Sequence, residues 1–181
     1  MEDKQLREQL LELIKVKAVL RGERTLASGK KSSYYIDGKQ ITLDAQGLFL
    51  TAKLIHNMIA GAKADAIGGP TIGADPIAAA VCLLSSQSGH PLKACLVRKE
   101  AKDHGTQKMI EGPDLKEGDR VVVVEDVITT GGSVLKAIQE IEKVKAKVVR
   151  VICLVDRHEG AEAKLGPYHY TPIFSLTDLG V

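Results

Sequence analysis

Two stretches of this chain, VVVV at residues 121–124 and VVRVICLV at residues 148–155, run almost without polar interruption. A strand that is apolar on one face alternates with polar residues. One that is apolar throughout has to be covered on both faces. Helical patterns separate the two stretches from each other and from their neighbours, and alternating strands and helices of this kind build an α/β fold. The expected architecture is an open, twisted parallel sheet with helices on both sides. Ligands in such sheets bind beyond the carboxyl ends of strands, where loops lead into helices. Functional residues should therefore follow strands.

The remaining elements fit this frame. Leu6, Leu10, Leu13, Ile14 and Leu20 fall on a helical period, with Gly22 as a stop. The segment TLASGKKSSYYIDGKQITL mixes Gly, Ser and β-formers and reads as short strands around a turn, a small N-terminal cap or hood. A helix runs from Asp44, a good N-cap, to Gly61. A strand at 65–68, an alanine-rich helix ending at Ser85 and a strand in KACLVR follow, then a polar segment over 99–119. Next come a strand at 120–124, a helix at 133–145 and a strand at 147–155. The chain has 181 residues and no linker or repeat, so a single domain is expected, with residues 1–42 as helix and cap.

Composition excludes several classes. A net charge of +2, from 25 basic and 23 acidic residues, is too balanced for a sequence-independent nucleic-acid footprint. The opening MEDKQLREQL has no secretory apolar run and no segment reads as membrane-spanning, so a cytoplasmic protein without membrane or nucleic-acid partners is expected. Cys82, Cys95 and Cys153 are odd in number, far apart and set in apolar stretches. They read as reduced core thiols rather than disulfides or a metal site.

The chemistry concentrates in VVVVEDVITTGGS. The strand delivers Glu125 and Asp126 to its carboxyl end, and two adjacent carboxylates there need polar partners such as diol hydroxyls or a metal. Val127 and Ile128 lead into Thr129, Thr130, Gly131, Gly132 and Ser133, which supply closely spaced backbone N–H donors, hydroxyls and conformational freedom at a helix N-terminus. Acceptors for a sugar diol thus lie beside donors for a monophosphate, as ribose 5-phosphate requires. A lone Gly-Gly-Ser turn would mean only a tight turn with Ser133 as N-cap. No Walker A spacing occurs in GERTLASGKKS, GGPTIG lacks the GxGxxG spacing, and His158-Glu159 is not continued as a zincin motif.

The whole string resembles the phosphoribosyl pyrophosphate (PRPP) motif of the type I phosphoribosyltransferases. A second segment, RKEAKDHG, carries Arg98, Lys99, Lys102 and His104 on the polar stretch at 99–119. By itself it reads as a solvated charge run or as a lid that neutralises a leaving group and excludes water. It is similar to the mobile catalytic loop of the orotate phosphoribosyltransferases. That resemblance implies that these four residues contact the pyrophosphate, that Lys102 is catalytic, and that the loop reaches across a homodimer with shared active sites.

Flanking segments extend the resemblance along nearly the whole chain. TLASGKKSSYYIDGK resembles the family's N-terminal substrate segment, which implies that Tyr34 and Tyr35 lie near the orotate ring. Ala27 departs from it, standing where some members have a lysine. GGPTIGADPIAAAV resembles the second glycine turn, near the pyrophosphate. DRHEG, after the last apolar strand, matches the family's DRxEG, and the planar fork of Arg157 suits the orotate carboxylate; a surface ion pair with Glu159 or Glu162 is the plain alternative. Thr129 would contact the pyrimidine edge and Asp126 position the ribose. The implied reaction is transfer of ribose 5-phosphate from PRPP to orotate, with Mg²⁺ carried on diphosphate oxygens. A phosphoribosyltransferase for another base and a non-catalytic PRPP-sensing regulator are the rival readings.

Overall fold

A computed structural model of the chain describes residues 2–25, 31–100 and 108–181. In chain order the elements are helix α1 (Asp3–Lys17), strands β1 (Val19–Thr25) and β2 (Lys31–Ile36), helices α2 (Lys39–Thr42) and α3 (Ala45–Ile59), strand β3 (Ala66–Pro70), helix α4 (Ala74–Ser85) and strands β4 (Lys93–Val97), β5 (Ile110–Glu111) and β6 (Arg120–Ile128). Helix α5 (Gly132–Lys143), strand β7 (Lys147–Asp156), helix α6 (Ala161–Leu165), a 3₁₀ turn (Gly166–Tyr168), strand β8 (Tyr170–Ser175) and helix α7 (Leu176–Leu179) complete it. β1 and β2 form an antiparallel hood. The main sheet has the order β5-β4-β3-β6-β7-β8 and is parallel except for β5.

The apolar strands are covered on both faces, as their composition requires. Val121 and Val123 pack with Val134, Ile138 and Ile141 of α5 on one face. Val122 and Val124 pack on the other with Leu10 and Ile14 of α1, Ile55 of α3 and Ile77 and Val81 of α4. All four valines are fully buried. Among the described residues no helix is long and apolar enough to cross a membrane.

Three local readings change. α1 ends at Lys17, with Ala18 N–H donating to Ile14 O, and Leu20 and Gly22 belong to β1. Ladder pairing with β2 overrides the helical period there, and Gly22, at φ +131°, accommodates the register shift between Arg21 and Arg24. The polar segment after β4 contains β5, whose two residues pair with Leu96 and Val97. β6 continues past residue 124 because its ladder with β7 runs on to Ile128, which pairs with Asp156. α2, α6, β8 and α7 were not expected at all; the capping box of Ser175 and Asp178 marks the last of them.

The topology fixes where a ligand belongs. From β3 the chain crosses through α4 to β4 on one side and later returns to β6 on the other. The order reverses between β3 and β6, so a crevice opens at their carboxyl ends. GGPTIG and EDVITTGGS both start there.

Candidate active site

Glu125 and Asp126 sit near the carboxyl end of β6, 8% and 4% exposed. The Asp126 N–H donates to Glu125 Oε1 at 3.2 Å, and the Val127 N–H donates to Asp126 Oδ1 at 2.8 Å. Burial, followed by the neighbouring carboxylate of Asp126, pushes the Glu125 carboxyl up to about 9. The two acids have different surroundings. Glu125 lines a cavity of about 310 Å³ together with residues 127–134 and Lys136, a volume at the lower end for small-molecule sites. Asp126 faces the start of α2: Lys39 Nζ donates to its Oδ2 at 3.2 Å.

The cavity floor is the turn into α5. Gly131 takes a left-handed conformation, φ +74°, that a side chain would strain, and α5 begins at Gly132. The free N–H groups of the first helical turn therefore point at the cavity lined by Thr129, Thr130 and Ser133. The residues expected to cradle a monophosphate thus line one cavity.

A second cavity of about 480 Å³ lies alongside, lined by Pro70, Val97, Arg98, Lys99, Glu100 and Met109 together with Ser133 and Lys136. Ser133 and Lys136 border both cavities. Arg98 pairs with Glu111 at 3.5 Å and donates through Nε to Glu100 O at 3.2 Å. The basic residues Lys102 and His104 lie outside the described residues, as does Ala27. Above the crevice Thr71 N–H donates to Val97 O at 2.9 Å, and the Thr71–Ile72 peptide is cis.

Arg157 leaves the end of β7, with its N–H donating to Ile128 O at 2.9 Å and its side chain 10% exposed. Glu159 Oε1 pairs with Nη2 at 3.0 Å, so the ion pair weighed as the plain alternative is present. Nε, however, is buried without a hydrogen bond among the described residues. The guanidinium lies 5.9 Å from the centroid of the Tyr34 ring. The hood brings Tyr34 to Arg157, but successive residues of a strand face opposite ways. Tyr35 is accordingly more exposed, at 37%.

Lys39 and Lys136 escape the reading of the sequence, and Gly73, though part of the second glycine turn, escapes it in its close fit to the acidic pair. Gly73 packs so closely on the acidic pair that an added Cβ would collide with the Glu125 carboxylate and approach Asp126 Oδ1 to 2.6 Å. Lys39 reaches Asp126 across 87 positions, and Lys136 is visible only once α5 is in place. Lys39 closes the IDGK of the N-terminal segment, and no local pattern marks its role.

The model of the phosphoribosyl transferase domain family matches residues 39–174. The orotate phosphoribosyltransferase of Streptomyces coelicolor is 46% identical over 181 residues, covering 97% of this chain and 98% of the relative. Among solved structures, Mycobacterium tuberculosis orotate phosphoribosyltransferase with Fe(III) dicitrate superposes with a TM-score of 0.85 at 38% identity, covering 97% of this chain and 99% of that one. The same enzyme in complex with 5-phospho-alpha-D-ribosyl 1-diphosphate gives 0.81 at 35% identity over 97% and 99% of the two chains. With residues 39–174 matched by the domain model and near-complete coverage by relatives above 30% identity, the chain belongs to the phosphoribosyl transferase domain family and, within it, to the orotate phosphoribosyltransferases.

Proposed function

We propose that this chain transfers ribose 5-phosphate from PRPP to orotate, giving orotidine 5′-monophosphate and diphosphate. The observation that carries the choice of base is Arg157. An almost fully buried guanidinium beside an aromatic ring, with an unsatisfied Nε, calls for a planar anion. Glu159 already shows that the fork takes a carboxylate. Orotate has a carboxylate; uracil and the purines do not.

The reaction is displacement of diphosphate from C1 of the sugar by N1 of orotate. Residues 129–133 hold the 5-phosphate through backbone N–H groups, hydroxyls and the α5 N-terminus. Thr129 meets the pyrimidine edge, Tyr34, which lies beside Arg157, borders the ring while Tyr35 on the opposite face of β2 does not, and Asp126 positions the ribose. Arg98, Lys99, Lys102 and His104 contact the diphosphate, where fixed cations stabilise charge as it develops on the leaving group. Supporting the assignment for Arg98 and Lys99 is their cavity beside the cradle. Lys102 and His104 rest on the RKEAKDHG motif, and the same motif supports a homodimer with loops shared between sites. Three free cysteines, two of them buried, suit a reducing cytoplasm.

Mg²⁺ belongs to the same proposal. Among the described residues no group of three or more His, Cys, Asp or Glu side chains could hold a metal, and one of the two site carboxylates is engaged by Lys39. That donor set fits a cation carried by diphosphate oxygens and water rather than one caged by protein. When bound, it would neutralise the departing diphosphate.

The test is loss of orotate absorbance with PRPP and Mg²⁺, run beside adenine, hypoxanthine and uracil. Consumption of orotate alone supports the reading, and consumption of another base in its place overturns it.

A further inference from the structure

Asp126 is the acid assigned to the ribose, yet its side chain is only 6% exposed, while that of Lys39, which pairs with it at 3.2 Å, is 46% exposed. The cavity over the α5 N-terminus is lined by Glu125 and not by Asp126. What covers Asp126 is the start of α2. A Cβ added at Gly38 would lie 2.8 Å from both Cβ and Oδ2 of Asp126, so the backbone there rests directly on the carboxylate. Lys39, the next residue, donates from Nζ to Asp126 Oδ2 while its side chain stays half-exposed. Burial alone would lower the Lys39 pKa, but the carboxylates of Asp126 and Asp37 outweigh it and raise the value, so the group stays charged. A second anchor fixes the backbone: the Lys39 N–H donates to Asp37 Oδ1 at 3.2 Å.

We infer that Lys39 is a binding residue for the sugar diphosphate, and that Asp126 acts in large part through it, as the anchor that aims the ammonium at an anionic or hydroxyl oxygen of PRPP. The inference rests on the phosphoribosyl reading of the site, not on the identity of the base. Asp126 by itself is an acceptor buried behind another residue. The exposed partner of the pair is the cation, and the ligand expected at this strand end carries several negative charges. Lys39 also joins the two halves of the site, since α2 follows β2, the strand that brings Tyr34 to Arg157.

A double-mutant cycle on the full-length protein decides it, with KM for PRPP and for orotate, kcat and thermal melting as readouts. Lys39→Met is expected to raise KM for PRPP about tenfold, the size of one half-exposed charge-assisted contact, and to leave KM for orotate within about twofold. Lys39→Arg should recover most of the loss, which a purely structural role would not predict. Asp126→Asn should raise KM for PRPP in the wild-type background and add less than about twofold in the Lys39→Met background. Unchanged KM for PRPP in a folded Lys39→Met protein overturns the inference, as does full multiplication of the two effects. If Lys39→Met fails to melt cooperatively, Lys39→Gln, which keeps part of the stem and a donor without the charge, replaces it in the same cycle. Should the wild-type protein consume no base at all, the proposed reaction fails; calorimetric PRPP binding to wild type and Lys39→Met then still decides the role of Lys39.

Discussion

Gly73, at the turn into α4, packs directly against the carboxylate of Glu125 at the end of β6. An alanine Cβ there would collide with Oε1 and lie 2.9 Å from Cδ. The acidic strand end is thus held from β3's side by backbone. Gly73→Ala should destabilise the fold by about 1–3 kcal/mol through overpacking and raise KM for PRPP. Gly132→Ala, whose Cβ meets only Thr130 Oγ1 at 3.8 Å, should change stability by no more than about 0.5 kcal/mol. Urea melts of the two variants check the contrast, and equal destabilisation would contradict it.

Glu125 makes stability depend on pH. Burial and the Asp126 carboxylate push its carboxyl up to about 9 in the fold, above the ordinary value of 4.5. Between those values the folded protein holds a proton that the unfolded chain releases, so this contribution is complete below about pH 4.5, declines as pH rises and is gone above about 9. Glu125→Gln, which keeps the neutral shape, should flatten the decline and be at least as stable as wild type at pH 8. Denaturant midpoints at pH 6 and pH 8 measure this.

Arg157→Ala should raise KM for orotate about 30-fold or more, as loss of a buried charged partner does, with little change in KM for PRPP. Glu159→Gln removes the carboxylate that pairs with Nη2 at 3.0 Å. It should lower KM for orotate or leave it unchanged. A rise there as large as that of Arg157→Ala would mean that Glu159 supports the site rather than competing for the fork.

Lys102→Ala should reduce turnover far more than it weakens orotate binding if Lys102 meets the leaving diphosphate as proposed. Mixed after unfolding and refolding with the Arg157→Ala protein, it should recover activity, since the proposed dimer with shared sites would then contain one intact site. No recovery above the sum of the separate variants would remove the shared-loop assignment.

The thiols should be inert in the folded protein. Burial pushes Cys95 up to about 12 and Cys153 higher still, although Tyr170 contacts the Cys153 Sγ at 3.1 Å. Iodoacetamide at neutral pH should label at most Cys82 natively and all three cysteines in urea, read by mass spectrometry.

What the sequence alone determined is local. Unbroken apolar runs demand two covered faces, and Val121 to Val124 divide between two packed layers as that demand predicts. The glycines after Ile128 announce a turn that only left-handed angles permit, and Gly131 takes one. Arg157 was legible because its strand ends on it. What tertiary structure decided is which distant groups meet these. The helical period of α1 gave way at Leu20 to a strand partner it could not see, and β5 exists only because β4 offers an edge. Lys39 reaches Asp126 from 87 positions away, Gly73 fits beneath Glu125 from another strand, and Tyr34 and Tyr35 part company on opposite faces of β2. Periodicity and turn chemistry act between neighbours in the chain; charge pairing and close packing act between neighbours in space, and the order reversal between β3 and β6 is what makes those neighbours.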